Sequence, residues 1–134
     1  HMLHNDSRKF ESAFVGVTIP QNNSVMFGSL SGSKLGLWVS HGEGKFSMPE
    51  PESEYNIVMK YTYDKYPGNP NGSDYSTAGI ASADGRHVAM MPHLERAFLP
   101  WQNAFYPAGH KNDEVTPWIE AFVNARRWVE EHKQ

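Results

Sequence analysis

Residues 77–96 read TAGIASADGRHVAMMPHLER, and this stretch decides how the chain folds. The Asp-Gly pair at 84–85 stands between two apolar runs, which predicts a β-hairpin with its turn at that pair. Pro92 ends the second run, because proline has no N–H group with which to continue a β-ladder. His93 and Glu95 follow directly, so an imidazole and a carboxylate are placed where a strand stops.

Outward from this hairpin, the chain is rich in further strand signals. Several segments combine β-branched and aromatic residues and are bounded by Gly, Pro, Asn or Ser, which is typical of strands. They are residues 10–19, 34–39, 45–48 and 56–63. Residues 66–73 hold two Pro, two Gly and two Asn and predict a tight turn.

The last segment predicts a helix. Thr116 is a suitable N-cap and Pro117 suits the first helical position. Apolar residues then recur at helical spacing, which predicts one buried stripe. The stripe consists of Trp118, Phe122, Ala125 and Val129, flanked by Ile119 and Val123.

Composition limits the class of protein. The chain has 134 residues, enough for one domain, and a formal net charge of -3, without the basic patch that nucleic acid or an anionic membrane requires. It contains no stretch of the roughly 18 apolar residues that a membrane span needs and no signal peptide, so we expect a cytoplasmic protein.

It has no cysteine, which excludes disulfides and a thiol nucleophile of its own. His1-Met2 resembles the remnant of a cleaved tag and is left out of the fold prediction.

Two His-x-Glu pairs are the candidate chemical groups: His41 with Glu43, and His93 with Glu95. Residues two apart in extended chain point to the same side, so each pair is expected to present its side chains to one cavity. A carboxylate beside an imidazole fixes the tautomer of the ring, as in a catalytic triad. Two imidazoles and two carboxylates would also suit a Mn²⁺, Fe²⁺ or Zn²⁺ site in a small β-barrel, and this remains as a lesser alternative.

Four motifs, in order, carry a resemblance to a known family. Residues 90–96, Met-Met-Pro-His-Leu-Glu-Arg, resemble the Met-Pro-His-Pro-Glu-Arg segment of class I glutamine amidotransferases. Residues 69–73 (Asn-Pro-Asn-Gly-Ser), with the later Gly-Ile and Asp-Gly-Arg, and residues 40–44 (Ser-His-Gly-Glu-Gly) are similar to motifs of the phosphoribosylformylglycinamidine synthases. The resemblance extends from about residue 5 to the final helix. Residues 6–11 (Asp-Ser-Arg-Lys-Phe-Glu) match at the first end, and Pro117-Trp118 match at the other.

The resemblance implies a fold and a set of roles. It implies an α/β fold, the C-terminal part of a class I glutaminase (flavodoxin-like) domain over residues 3–134, with a mixed, strand-rich sheet and a C-terminal helix. His93 and Glu95 would complete a Cys-His-Glu triad. Ser40, Gly42 and Glu43 would bind the α-amino and carboxylate groups of glutamine, with Glu43 as the partner of the ammonium.

The resemblance also implies a larger parent protein. In the parent synthase, the released ammonia would be used with ATP and Mg²⁺, elsewhere in the chain, to convert formylglycinamide ribonucleotide to the amidine in purine biosynthesis. The partners would be glutamine and the synthase domains, and no cofactor or metal is expected in this part. Apolar surface that the remaining part of the glutaminase domain would cover is expected to be exposed here and would favour a dimer.

Two departures from the family pattern affect these expectations. Leu94 stands where the family usually has proline, which leaves the backbone between His93 and Glu95 less restrained. The Gly-x-Cys-x-Gly nucleophile segment is absent from these residues, so the chain alone is expected to be inactive towards glutamine. A non-catalytic interaction module derived from a glutaminase is therefore the second hypothesis.

The turn at 69–73 is either a contact to the glutamine pocket or other domains, or simply a tight loop.

Overall fold

The computed structural model describes residues 1–133 and contains two small sheets and one α-helix. The strands are β1 (Met2–Leu3), β2 (Glu11–Thr18), β3 (Lys34–His41), β4 (Lys45–Phe46), β5 (Ile57–Tyr61), β6 (Thr77–Ala81) and β7 (Val88–Met90), and the helix is α1 (Ile119–Glu131). Several short 3₁₀ turns connect them. The expected α/β fold class is confirmed: the architecture is strand-rich and ends in a helix.

The main sheet has the strand order β3-β2-β5-β6-β7. Each of its pairings is antiparallel, so this sheet is antiparallel where the sequence led us to expect a mixed one. β2 and β3 form the longest ladder, from Glu11 opposite His41 to Thr18 opposite Lys34. This register places the end of β3, and the residues that follow it, beside the start of β2.

The hairpin predicted from the Asp-Gly pair is confirmed. β6 and β7 pair antiparallel, with Ala81 opposite Val88. Gly85 has φ +72°, a left-handed conformation that glycine adopts without the strain other residues would incur. The other predicted strands at 10–19, 34–39, 45–48 and 56–63 are also present, each with slightly different ends.

The core lies between the inner face of the main sheet and the segments that cover it. Its fully buried members include apolar residues from four strands together with Phe27 and Trp118. They are Val17, Leu37, Val39, Val58, Met59 and Ala78. Leu94, just after β7, also belongs to this core, so the residue between His93 and Glu95 is anchored by packing.

The helix starts later than its capping signal predicted. α1 begins at Ile119, and Thr116 makes no side-chain cap hydrogen bond to it. Instead the Thr116 hydroxyl donates to the carbonyl of Ala97 at 2.7 Å, and its backbone N–H donates to Phe98. The prediction of Thr116 as N-cap was wrong because a buried carbonyl in another segment takes its hydroxyl.

The predicted apolar stripe of the helix is only partly buried. Trp118 is 1% exposed, but Phe122 and Val129 are 40% and 53% exposed. The Trp118 indole N–H donates to the carbonyl of Gly36 at 2.9 Å, and its ring meets Phe27 edge-on. These contacts set the rotation of the helix, so that Ala121 rather than Phe122 faces the core. Periodicity predicted the helix correctly and its buried face incorrectly.

The first residues belong to the fold. Met2 lies opposite Phe46 and Leu3 opposite Lys45 in the two-stranded sheet of β1 and β4. Leaving His1-Met2 out of the fold prediction therefore missed a strand. Its partner, β4, directly follows the loop at residues 40–44.

Candidate active site

His93 is held against β3 by its backbone. Its N–H donates to the carbonyl of Trp38 at 2.9 Å, an isolated antiparallel bridge beyond the end of β7. A 3₁₀ turn over Leu94–Arg96 then brings Glu95 back towards the ring. His93 Nδ1 lies 2.8 Å from Glu95 Oε1, which is hydrogen-bond distance. The second predicted pair thus forms as the spacing suggested.

The electrostatics of this pair favour an ionised carboxylate. Desolvation raises the pKa of Glu95, but a backbone hydrogen bond and the His93 ring outweigh it, so its pKa lies below the ordinary value. A carboxylate that accepts a hydrogen bond at Nδ1 holds the proton on that nitrogen. The other ring nitrogen of His93, Nε2, is then available to exchange a proton with a reactant.

The first predicted pair does not form. The His41 ring contacts Asn71, with 2.9 Å between Nδ1 and the amide nitrogen. Glu43 instead lies 3.5 Å from His4, and its side chain is 72% exposed. The period-two argument failed here because β3 ends at His41 and the chain bends at Gly42.

This geometry also separates the ligands that the metal hypothesis needs. His41 and Glu43 point to different partners, so the two imidazoles and two carboxylates do not converge. Among residues 1–133, no group of three or more His, Asp or Glu side chains is arranged to hold a metal ion.

Buried asparagines support the loop at residues 40–44, here called the Ser40–Gly44 loop. Asn5 donates to the carbonyls of His41 and Lys9 and accepts from the N–H of Gly44. Asn71 donates to Asn5 at 2.7 Å and accepts from the hydroxyl of Tyr61 at 2.9 Å. The loop is thus hydrogen-bonded to residues that are distant in sequence.

The Asn-Pro-Asn-Gly-Ser turn has a structural role of its own. Asn71 is fully buried, and Ser73 accepts a hydrogen bond from the N–H of Phe46, the residue that closes β4. Gly72 has φ +75°, and a Cβ there would overlap the carboxylate of Asp6. The tight-loop interpretation of this motif therefore holds, and the loop it builds is the support beneath the Ser40–Gly44 loop.

Strand alternation assigns the site residues to two faces of the sheet. Leu37 and Val39 face the core, so His41 lies on their side while Trp38 and Ser40 lie on the other. His93 is bridged to Trp38 and Ser40 is two residues further along β3. The predicted catalytic His93 and the predicted binding residue Ser40 therefore belong to the same, outer face.

A shallow groove lies beside the predicted binding loop. It is lined by His4, Arg8, Lys9, Phe10, Gly42 and Glu43. Two cations and one carboxylate face this groove, an arrangement that complements a zwitterionic amino acid. Gly42 and Glu43, which were predicted to bind glutamine, line this concave surface together with Arg8 and Lys9.

Sequence reasoning also missed the support that Asn5 and Asn71 give to the Ser40–Gly44 loop. Asn71 had a usable signal, since it stands within one of the motifs. Asn5 had none, because three of its side-chain partners, His41, Gly44 and Asn71, lie 36 to 66 positions away.

An antiparallel sheet with a C-terminal helix, and a His–Glu pair anchored beside the edge of that sheet, define the class of protein as an α/β domain with a candidate acid–base site. Residues 1–129 match the family of CobB/CobQ-like glutamine amidotransferase domains. The chain belongs to this family.

The relatives make the assignment more particular. The chain is 40% identical to a probable phosphoribosylformylglycinamidine synthase, chloroplastic/mitochondrial, of Arabidopsis thaliana, over 96% of this chain and 10% of that protein. It is 37% identical to the phosphoribosylformylglycinamidine synthase of Homo sapiens over 96% of this chain and 10% of that protein, and 38% identical to that of Drosophila melanogaster over 99% and 11%. The resemblance found in the sequence motifs is confirmed, and the chain spans about a tenth of the length of these relatives.

A solved structure supports the fold. The structure of PurLQS from Thermotoga maritima superposes with a TM-score of 0.71 at 24% identity, covering 96% of this chain and 52% of that one.

None of the helices within residues 1–133 has the length and apolarity needed to cross a membrane.

Proposed function

We propose that His93 and Glu95 are the histidine and glutamate of a Cys-His-Glu glutaminase site. The single observation that carries this proposal is the 2.8 Å contact between His93 Nδ1 and Glu95 Oε1. The ionised carboxylate orients the ring and stabilises its charged form, and Nε2 is the nitrogen that moves the proton.

The reaction follows the chemistry of a thiol nucleophile. A cysteine thiolate attacks the side-chain carboxamide of glutamine, the C–N bond breaks, and ammonia leaves with a proton from His93. Water then attacks the thioester and gives up a proton to His93, which releases glutamate and regenerates the thiolate. Because the 134 residues hold no cysteine, we expect this chain alone to lack the nucleophile and to release no ammonia.

Glutamine is the substrate that the Ser40–Gly44 loop is proposed to bind. The exposed Glu43 carboxylate pairs with the α-ammonium, and Arg8 and Lys9 place positive charge for the α-carboxylate. Gly42 lines the same groove, and Ser40 shares the outer face with His93. The charges of the groove support this assignment.

The whole protein is proposed to be a phosphoribosylformylglycinamidine synthase, on the strength of the relatives above. Its other domains would use the ammonia, with ATP and Mg²⁺, to form the amidine, and no residue of this chain is assigned to the nucleotide or the metal. We place it in the cytoplasm. The exposed Trp101 and Phe105, at 79% and 78%, are proposed to contact those domains or a second copy of the chain.

The test is ammonia release by a protein that joins this chain to the family's Gly-x-Cys-x-Gly segment. His93→Gln is expected to lower kcat by roughly 10²–10⁴-fold, the contribution of one general acid–base. The matched control is His87→Gln, because His87 is exposed and lies outside the site. Equal activity in the two variants would refute the proposal. Binding of synthase domains without any glutaminase activity would favour the interaction-module hypothesis instead.

A further inference from the structure

The protonation state of His41 follows from its neighbours. The hydrogen bonds of Asn5 fix which atoms of its side-chain amide are nitrogen and oxygen. One atom contacts two backbone carbonyls and is therefore the nitrogen, and the other accepts from the N–H of Gly44 and is therefore the oxygen. The Asn71 atom 2.7 Å from that oxygen must be a donor, so it is nitrogen. The same nitrogen faces His41 Nδ1, which therefore accepts. Neutral His41 carries its proton on Nε2.

Two buried polar atoms in this region have no partner among residues 1–133. One is His41 Nε2, a donor, and the other is Glu11 Oε1, an acceptor. Glu11 and His41 lie directly opposite each other in the β2–β3 ladder, so their side chains are on the same face. A buried donor and a buried acceptor on facing residues complement each other, and leaving both unpaired would be unfavourable.

We propose that Glu11 is the acceptor for His41 Nε2–H through one bridging water, and that Glu11, His41 and Asn71 form a positioning unit that holds the Ser40–Gly44 loop. This inference rests on the proposed function, since it assigns the unit to the same glutaminase site. It adds residues that contact neither glutamine nor the nucleophile in that proposal.

The charge of the unit has a defined sign. Burial lowers the pKa of His41 below its ordinary value, and His93 lowers it further, while a backbone hydrogen bond and Glu11 oppose this. His41 is therefore neutral at neutral pH, and the unit carries the single negative charge of Glu11.

The Ser40–Gly44 loop depends on the same contacts. A Cβ at Gly44 would overlap the His41 ring, so the loop is packed directly onto the imidazole. Fixing both ring nitrogens, one by Asn71 and one by Glu11, stops rotation of the ring and keeps the backbone at Gly42 and Gly44 in place. A neutral ring held from both sides is a rigid support for a loop that binds ligand.

The experiment is imidazole ¹⁵N NMR on this chain, with Glu11→Gln, Glu11→Ala and the exposed control Glu54→Gln. In the wild type, His41 is expected to show an unprotonated Nδ1 and a protonated Nε2. Glu11→Gln keeps an acceptor but removes the charge, so the tautomer should persist while His41 titrates at lower pH. Glu11→Ala removes the acceptor, and exchange of Nε2–H with water should become roughly tenfold faster.

A proton on Nδ1, or titration and exchange unaffected by both Glu11 variants as in Glu54→Gln, would overturn the inference. If Glu11→Ala does not fold, the isosteric Glu11→Gln still decides through the titration of His41. These spectra require no catalysis, so a failure of the glutaminase proposal would appear in ammonia release alone and is distinguishable from a failure here.

Discussion

Replacing Asn71 by alanine is expected to destabilise the fold strongly. Its side chain is fully buried and makes three hydrogen bonds, to Asn5, His41 and Tyr61. Asn5 keeps its contact to Gly44 when Asn71 is removed, but His41 Nδ1 and the Tyr61 hydroxyl lose the partners described here. Each buried group left unpaired costs about 1–3 kcal/mol, so the expected loss is about 2–6 kcal/mol. That is a large part of the roughly 5–15 kcal/mol that stabilises a typical domain.

Urea unfolding measures this loss directly. The midpoint should fall at an unchanged m-value, and the melting temperature should drop by on the order of 10 °C. The control is Asn112→Ala, because Asn112 is exposed and its change should stay within about 0.5 kcal/mol. A loss for Asn71→Ala as small as that of the control would refute the view that buried asparagines support the Ser40–Gly44 loop.

The remaining predictions concern backbone, packing and pH. Gly72→Ala should lower the free energy of unfolding by about 1 kcal/mol or more, because φ is +75° and the Asp6 carboxylate blocks the new Cβ. The control Gly109→Ala has open space around the new Cβ and should be near neutral in the same urea assay. Trp118→Ala should cost about 3–5 kcal/mol, while Phe122→Ala, at a position 40% exposed, should cost far less; equal losses would show that the helix is rotated differently. The folded-state pKa of His41 lies below its ordinary value of 6.5, so the folded chain binds fewer protons at His41 than the unfolded chain does. The contribution of His41 to the stability of the fold is therefore fully present above pH 6.5. It is lost as the pH falls from 6.5 through the folded-state pKa. Urea midpoints measured against pH should flatten in His41→Gln, and an unchanged pH profile would contradict this.

The fold was predictable where a local rule acts. The hairpin required only that Asp-Gly sit between apolar runs, and Gly85 adopts the conformation which that pair favours. The helix was predictable from periodicity, but its rotation was not. Contacts between distant segments orient it, among them the hydrogen bond from the Trp118 indole to Gly36, 82 positions away, and the one from Asn124 to Met26, 98 positions away.

The candidate site divides in the same way. His93 and Glu95 are two residues apart and were predicted from spacing and motif together. The hydrogen bonds of the two asparagines beside His41 were not predictable from composition or from the spacing of apolar residues. Asn5 and Asn71 are 66 positions apart and meet only in the folded chain. Glu11 meets His41 through strand register, which no local pattern contains.

Leu94 shows how the structure replaces a restraint that the family obtains from proline. A proline would restrict the preceding residue to extended backbone, and His93 already has φ -109° and ψ 105°. Its N–H is bound to Trp38, the Leu94 side chain is 5% exposed within the core, and the N–H of Ala97 closes the turn onto the Leu94 carbonyl. The backbone is thus held on both sides of the His93–Glu95 pair by packing and hydrogen bonds. The 2.8 Å contact between the two side chains therefore does not depend on the missing ring, because the core supplies the same restraint through burial.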